Sequence, residues 1–192
     1  MLLPQKQIRS EIARRMSPYV REKIPTARQA EYEDSGWVLD KRLKTSVWMR
    51  RLKRHDVAFE DQVWAMCARL GFPLLSVDRS LRLKYGKTDN QTKQVDVLAA
   101  DDEVVLVVEC KSSEAEQAPT YAFKTEIEAI QGYKTGLIGN LRDAFPGRKI
   151  RFVFATNNIN ISKETLGRIE GADIAHIDEE AVNYYNELSN HL

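Results

Sequence analysis

Cysteine and histidine are nearly absent from this chain of 192 residues, which holds two of the first and three of the second. Cys67 and Cys110 each fall inside an apolar pattern and have no histidine at metal-ligand spacing. The sequence therefore offers neither a zinc site nor a disulfide framework, and both cysteines read as buried thiols of a reducing, cytoplasmic compartment. No run approaches the roughly 18–20 apolar residues of a membrane span. The first residues also lack the apolar stretch and small-residue cleavage site of a secretory signal. Internal repeats and low-complexity segments are missing too. What remains is an ordinary water-soluble composition, 43% hydrophobic and 30% charged, long enough for one domain with a real core and no membrane partner.

The net charge of +1 conceals a division. Residues 1–55 carry 14 Lys/Arg against 6 Asp/Glu, and residues 56–192 carry 15 against 22. A basic N-terminal arm on an acidic body suits a polyanion partner for the arm and a cation for the body. Solvated helix faces are the alternative reading. In the arm, Ile8, Ile12, Met16 and Val20 recur at intervals of four and predict one amphipathic helix over about 25 residues, ended by Pro25. Arg14 and Arg15 in that helix, and Arg50, Arg51 and Arg54 in the basic run before the next element, are the candidate nucleic-acid contacts.

From residue 56 the pattern is that of an α/β domain. Phe59, Val63, Met66, Cys67 and Leu70 mark a helix with Asp56 at its N-cap and Gly71 at its end. Short strands are expected at Pro73–Val77 and Ser80–Lys84. The polar loop Tyr85–Thr92 follows, in which Lys84 and Lys87 either touch a nucleic-acid backbone or are simply solvated. Strands at Lys93–Ala100 and Glu103–Ser112 should form an antiparallel hairpin about Asp101-Asp102. A helix over about 121–143, a strand at Lys149–Ala155, a short helix capped by Ser162, a strand at Asp173–Ile177 and a helix over Glu179–His191 complete a mixed sheet with helices on its faces. Gly132, Gly136 and Gly139 would let the long helix sit close to the sheet. Trp37, Trp48 and Trp64 read as packing groups rather than base-stacking platforms, and His176 as a core histidine.

The strand 103–112 carries the informative residues. Val104, Leu106, Val108 and Cys110 share one face, and Val105, Val107, Glu109 and Lys111 the other. Both faces are apolar up to residue 108, so Glu109 and Lys111 continue a buried face, where an ion is costly unless paired or metal-bound. The hairpin puts Asp96 near the level of Glu109, in a register that sequence alone does not fix to one residue. Two acids and a lysine at the rim of a buried sheet are suited to holding a magnesium ion against a phosphodiester. Glu60 lies at the edge of the apolar stripe of its helix and can face this rim, whereas Asp61 points to the opposite side, expected to be water. The alternative is a buried ion-pair network of Asp96, Glu109 and Lys111 without metal, which must account for two acids facing one lysine.

A helix bearing Glu60, then Asp96 on one strand, then Glu109-Cys110-Lys111 on the next resembles the PD-(D/E)xK nuclease superfamily, with Val95 where the motif has Pro. The resemblance covers roughly residues 56–156. The runs Phe59-Glu60-Asp61-Gln62-Val63-Trp64, Gln94-Val95-Asp96-Val97, Val108-Glu109-Cys110-Lys111-Ser112-Ser113 and Phe154-Ala155-Thr156-Asn157-Asn158 are further similar to the nuclease module that precedes DGQHR-type domains of DNA-modification and defence proteins. No DGQHR string occurs, so the implied partner domain would lie C-terminal to this chain or on a separate one.

The resemblance implies a restriction-endonuclease-like fold and metal-dependent hydrolysis of DNA. Asp96, Glu109, the main-chain carbonyl of Cys110 and Glu60 would be ligands of Mg2+ (or Mn2+), Lys111 would serve the attacking water, and Gln131 on the following helix would be an accessory. Cutting both strands suits a homodimer. The rival expectations are a nuclease fold kept as a non-catalytic DNA-binding or assembly module, and a nuclease acting on RNA or branched DNA.

Overall fold

The computed structural model describes residues 2–3 and 5–188. The chain opens with strand β1 (Leu2–Leu3) and helix α1 (Gln5–Met16), whose Ile8 is buried against the core. The helix stops at Met16, not at Pro25. Residues 19–25 are strand β2 (Tyr19–Pro25) instead. After a short helix α2 (Gln29–Asp34), strands β3 (Val38–Arg42) and β4 (Ser46–Leu52) join β2 in an antiparallel three-stranded sheet of order β2-β4-β3. Ile24, Val47 and Met49 bury one face of that sheet with Tyr32, Trp37 and Leu39. The basic arm is thus a helix followed by a small sheet, and Arg50 and Arg51 lie on a strand.

Helix α3 (His55–Arg69) begins one residue before Asp56, which sits in its first turn with its carboxylate accepting the Val57 N–H. Strand β5 (Leu74–Ser76) follows, and then a ribbon of β6 (Arg82–Lys84) and β7 (Thr92–Gln94). Strand β8 (Val97–Ala100) turns through Asp101 into β9 (Val104–Ser112). The Asp101 carboxylate accepts the N–H groups of Glu103 and Val104. Helix α4 (Lys124–Ala144) crosses over to β10 (Lys149–Asn157), α5 (Lys163–Gly171) to β11 (Ile174–Ile177), and α6 (Glu179–Leu188) ends the described chain. The part of the expected last helix that includes His191 lies outside the described residues. Ser162 caps α5 as expected, its Oγ accepting the Thr165 N–H.

The central sheet has the order β1-β5-β8-β9-β10-β11, antiparallel up to β9 and parallel from β9 to β11. The helical crossovers α4 and α5 make those parallel pairings possible and cover one face, and α1, α3 and α6 cover the other. On one face α1, α3 and α6 bury Phe59, Val63, Trp64, Cys67, Val97 and Val108 among others. On the other, α4 and α5 bury Leu98, Val105, Val107, Ile127, Leu137 and Ile169. Trp64 is fully buried and its indole N–H donates to the Ser76 carbonyl at 2.8 Å, so its one polar atom is satisfied inside the core.

Two departures position the candidate site. Lys93–Ala100 is not one strand. It breaks at Val95-Asp96, because Val95 N–H is drawn to the Leu81 carbonyl of the β6–β7 ribbon while Val97 pairs with Val108 in the main sheet. Of the three helical glycines, only Gly136 makes a close approach, and to the ribbon rather than the sheet. A Cβ there would lie 1.9 Å from the Tyr85 carbonyl oxygen, whereas Gly132 and Gly139 meet nothing within 4 Å.

Candidate active site

The register Val97↔Val108, continued by one residue, sets Asp96 opposite Glu109. The strand break frees Asp96 from the ladder, and its Oδ2 accepts the Cys110 N–H at 2.8 Å. In an extended strand one residue's N–H and C=O point to the same side, so the Cys110 carbonyl is directed toward the Asp96 side as well. Glu109, on the face shared with Val105 and Val107, looks toward α4. Lys111 follows on the same face, with Nζ 3.6 Å from Glu109 Oε1.

Glu60 comes to this rim from α3. Burial and the nearby negative charge of Asp96 push its carboxyl up to about 7, against the pull of Arg79. Asp96 itself is pushed up to about 6, first by burial and then by Glu109, with the Cys110 N–H working in the opposite direction. Glu60 Oε2 lies 2.8 Å from Arg79 Nε, yet both atoms are buried without a hydrogen-bond partner, so the pair is ionic and misaligned. The Cys110 thiol is raised well above its ordinary range by burial and by Asp96, Glu60 and Glu109 together, which leaves it inert as a nucleophile.

A second lysine, not singled out in the sequence, completes the cluster. Lys93 on β7 places Nζ 3.2 Å from both carboxylate oxygens of Glu109 and lies over the Tyr133 ring. A cleft of about 190 Å3 opens here, lined by Lys93, Glu109, Lys111, Thr125, Glu126 and Tyr133 among others. The Tyr133 hydroxyl is raised by burial and by Glu109 and Asp96. Tyr133 lies within the helix expected over about 121–143 and was not singled out in the sequence.

Other candidates lie elsewhere. Gln131 is exposed and lines a groove with Lys124, Glu128 and Arg168, away from the lining of the Glu109 cleft. Asp61 does not face water. It is 1% exposed and meets Arg15 Nη1 at 3.0 Å, Lys53 Nζ at 2.8 Å and Arg79 Nη2 at 2.7 Å. Arg15 is buried by that contact, stacks on Trp64 and donates to the Val77 carbonyl, so it is withdrawn from any nucleic-acid surface. Arg14 is exposed beside Glu11, and Arg54 beside Asp56. Arg50 meets Asp40 and Tyr19, Arg51 lies over Trp37, Lys84 pairs with Asp89, and Lys87 is exposed. His176 is half-buried with Nε2 2.9 Å from Thr156 Oγ1.

The donors at the rim suit a hard divalent cation. Asp96 and Glu109 supply carboxylate oxygens, the Cys110 carbonyl points the same way as its N–H, and Glu60 Oε2 is a buried oxygen lacking a hydrogen bond. Among the described residues no group of three or more His, Cys, Asp or Glu side chains is placed to hold a metal ion. A two-carboxylate set open to water and phosphate is the arrangement magnesium favours over an all-protein cage. No described helix is long and apolar enough to cross a membrane.

No family model matches the chain, and no curated protein matches it. Among solved structures, it is similar to the protein of unknown function AF1548, with a TM-score of 0.47 and 15% identity over 70% of this chain and 66% of that one. It is also similar to protein VC1899 from Vibrio cholerae, with a TM-score of 0.45 and 10% identity over 97% of this chain and 50% of that one. A third is a repair endonuclease from Pyrococcus abyssi, with a TM-score of 0.37 and 10% identity over 76% and 62% respectively. The chain thus spans between half and two thirds of the length of each.

Proposed function

We propose that this protein hydrolyses phosphodiester bonds in DNA with the help of a divalent cation, Mg2+ or Mn2+. The observation that carries the reading is the convergence of Asp96, Glu109 and Lys111 where β8 breaks away from β9, with Glu60 entering from the opposite helix layer. Asp96 and Glu109 together with the Cys110 carbonyl would hold the cation. When bound, it supplies charge neutralisation on the phosphoryl oxygens and a more acidic water. The Lys111 ammonium, on the same face as Glu109, orients the attacking water and stabilises charge gathering on the phosphate. Glu60 Oε2 accepts a hydrogen bond from a water at the rim. Lys93, already within reach of Glu109, adds positive charge where the polyanion must approach. Exposed Arg14, Arg54, Lys84 and Lys87 are left to contact the backbone, and a homodimer would supply the second cut.

The test is conversion of supercoiled plasmid to nicked or linear DNA in the presence of magnesium or manganese, with a chelator and Lys111→Ala as controls. Cleavage that survives either control refutes the proposal.

A second reading has its own observation. Lys93 and Lys111 both lie close to Glu109, so two cations already answer that carboxylate without a metal. A non-catalytic DNA-binding module would keep this network. Calorimetric titration with magnesium separates the two, since only the catalytic reading expects binding that Glu109→Gln removes.

A further inference from the structure

A cavity of about 550 Å3 lies between α1, the N-terminal sheet and α3, with Arg79 in its lining. Its size falls within the roughly 300–1,000 Å3 of small-ligand sites. Four of its ten lining residues are cations (Arg14, Arg21, Lys53 and Arg79) and one is an acid, Asp61. These four cations meet four carboxylates, Glu11, Asp40, Glu60 and Asp61, and of the four Arg14 and Arg21 keep more than half of their side chains exposed, open to a guest's phosphate.

The sheet forms one wall. Alternation along β2 and β4 sends Ile24, Val47 and Met49 into the small core under Tyr32 and Trp37. Tyr19, Arg21 and Trp48 therefore belong to the opposite face, and all three line the cavity. Aromatic rings interleaved with cations on a sheet face are how proteins hold unpaired nucleotides: bases stack on the rings and phosphates meet the cations. Tyr19 is already covered by the Arg50 guanidinium, 4.7 Å from its ring centroid. The ring and cation stacks of the described N-terminal residues use Tyr19, Tyr32 and Trp37 but not Trp48. Trp48 is therefore the available platform, although its sequence position reads only as packing.

Arg79 joins this cavity to the candidate active site. It lines the cavity while its Nε lies 2.8 Å from Glu60 Oε2. A guest stacked on Trp48 with its phosphate toward Arg79 would sit on the strand that passes the carboxylates. A free nucleotide would not need that shared wall.

We propose that the cavity receives an unpaired nucleotide of the bound nucleic acid, so that the protein prefers a bulged or single-stranded site to a fully paired duplex. The inference rests on nucleic acid being the substrate, as proposed above. The test measures binding in chelator, where no cleavage can occur. Full-length protein is titrated into fluorescein-labelled paired DNA, the same DNA with a two-nucleotide bulge, and the corresponding bulged RNA. The bulged probe should bind at least about fivefold tighter than the paired one, the lower bound for one stacked base. Trp48→Ala should abolish that preference and Trp48→Phe should restore part of it. The two bulged probes identify which sugar is preferred, and a preference for either supports the cavity. Equal binding of paired and bulged probes by the unmodified protein overturns the inference without any variant. An undiminished preference in a folded Trp48→Ala protein overturns it as well. Plasmid cleavage without a bulge preference removes this inference alone, and a bulge preference without cleavage removes the hydrolytic reading alone.

Discussion

Asp96 Oδ2 accepts the Cys110 N–H at 2.8 Å, across the point where β8 leaves the sheet. One carboxylate therefore does two jobs: it closes the ladder that the strand break opened, and it presents charge to Glu109. The two jobs separate by substitution. Asp96→Asn keeps an oxygen for the Cys110 N–H and removes a charge that burial and Glu109 both disfavour. Its unfolding midpoint should equal or exceed that of the natural protein. Asp96→Ala leaves the N–H unanswered and should cost about 1–3 kcal/mol. Both should lower cleavage by more than about 100-fold, beyond what loss of an outer-shell partner does. Denaturation and plasmid assays on the pair check this. An active Asp96→Asn enzyme would contradict the assignment.

Asp61 should be the most sensitive acid in the chain for stability, and Arg79 links it to Glu60. Arg15 and Lys53 are both almost fully buried around it. Removing the carboxylate strands these cations in a poorly solvated site, so Asp61→Ala should cost about 3–5 kcal/mol. At roughly 2–4 °C per kcal/mol for a chain of this size, the melting midpoint should fall by about 10 °C. Arg14→Ala, on an exposed side chain one position from Arg15, should change it by less than about 0.5 kcal/mol. Equal effects of the two would show that the buried cluster is not structural.

How these residues were or were not legible follows from periodicity and from what reaches them. The Asp101-Asp102 turn put Asp96 near the level of Glu109, but a strand apolar on both faces does not fix the register, which the pairing Val97↔Val108 supplies. Asp61 was misread because the helix stripe places it opposite the core, and its burial comes from Arg15 and Lys53, 46 and 8 positions away in sequence. The β2 strand was taken for helix because a spacing of four fits both a helix turn and one face of a strand. The break at Asp96 left no trace, since Gln94-Val95-Asp96-Val97 alternates like any strand and the cause is the Leu81 carbonyl. Lys93 was not singled out, standing only as the first residue of the expected strand Lys93–Ala100: the ribbon that carries it is seated by Gly136, a contact between distant segments.

That seating gives a paired prediction on α4. Gly136→Ala drives a methyl to 1.9 Å from the Tyr85 carbonyl oxygen, part of the backbone rather than a side chain that can swing away. The ribbon must shift, at about 1–3 kcal/mol, and Lys93 should move away from Glu109 with it. Gly132→Ala meets nothing within 4 Å and replaces a poor helix former in mid-helix, so it should stabilise by about 0.5–1 kcal/mol. Urea denaturation of the two variants should therefore show shifts of opposite sign, and shifts of the same sign would refute the close approach.

His176 should make folding weaken as the solution is acidified. Burial lowers its pKa below the ordinary 6.5, with Asp178 pulling weakly the other way, and its Nε2 is engaged with Thr156 Oγ1. The unfolded chain then takes up a proton that the folded protein refuses. The stabilising contribution is complete above the unfolded value near 6.5 and is lost as pH falls from there toward the folded value. Asp96 and Glu60, raised to about 6 and about 7, act in the opposite sense, losing stability as pH rises through those values. The overall profile therefore mixes both signs, and the contribution of His176 has to be isolated by substitution. His176→Gln keeps a hydrogen-bonding side chain but cannot titrate. The stability difference between it and the natural protein should change between pH 7.5 and pH 5, with the natural protein losing more on acidification. A difference that stays constant across that range would mean the imidazole is equally easy to protonate in the folded and unfolded chain.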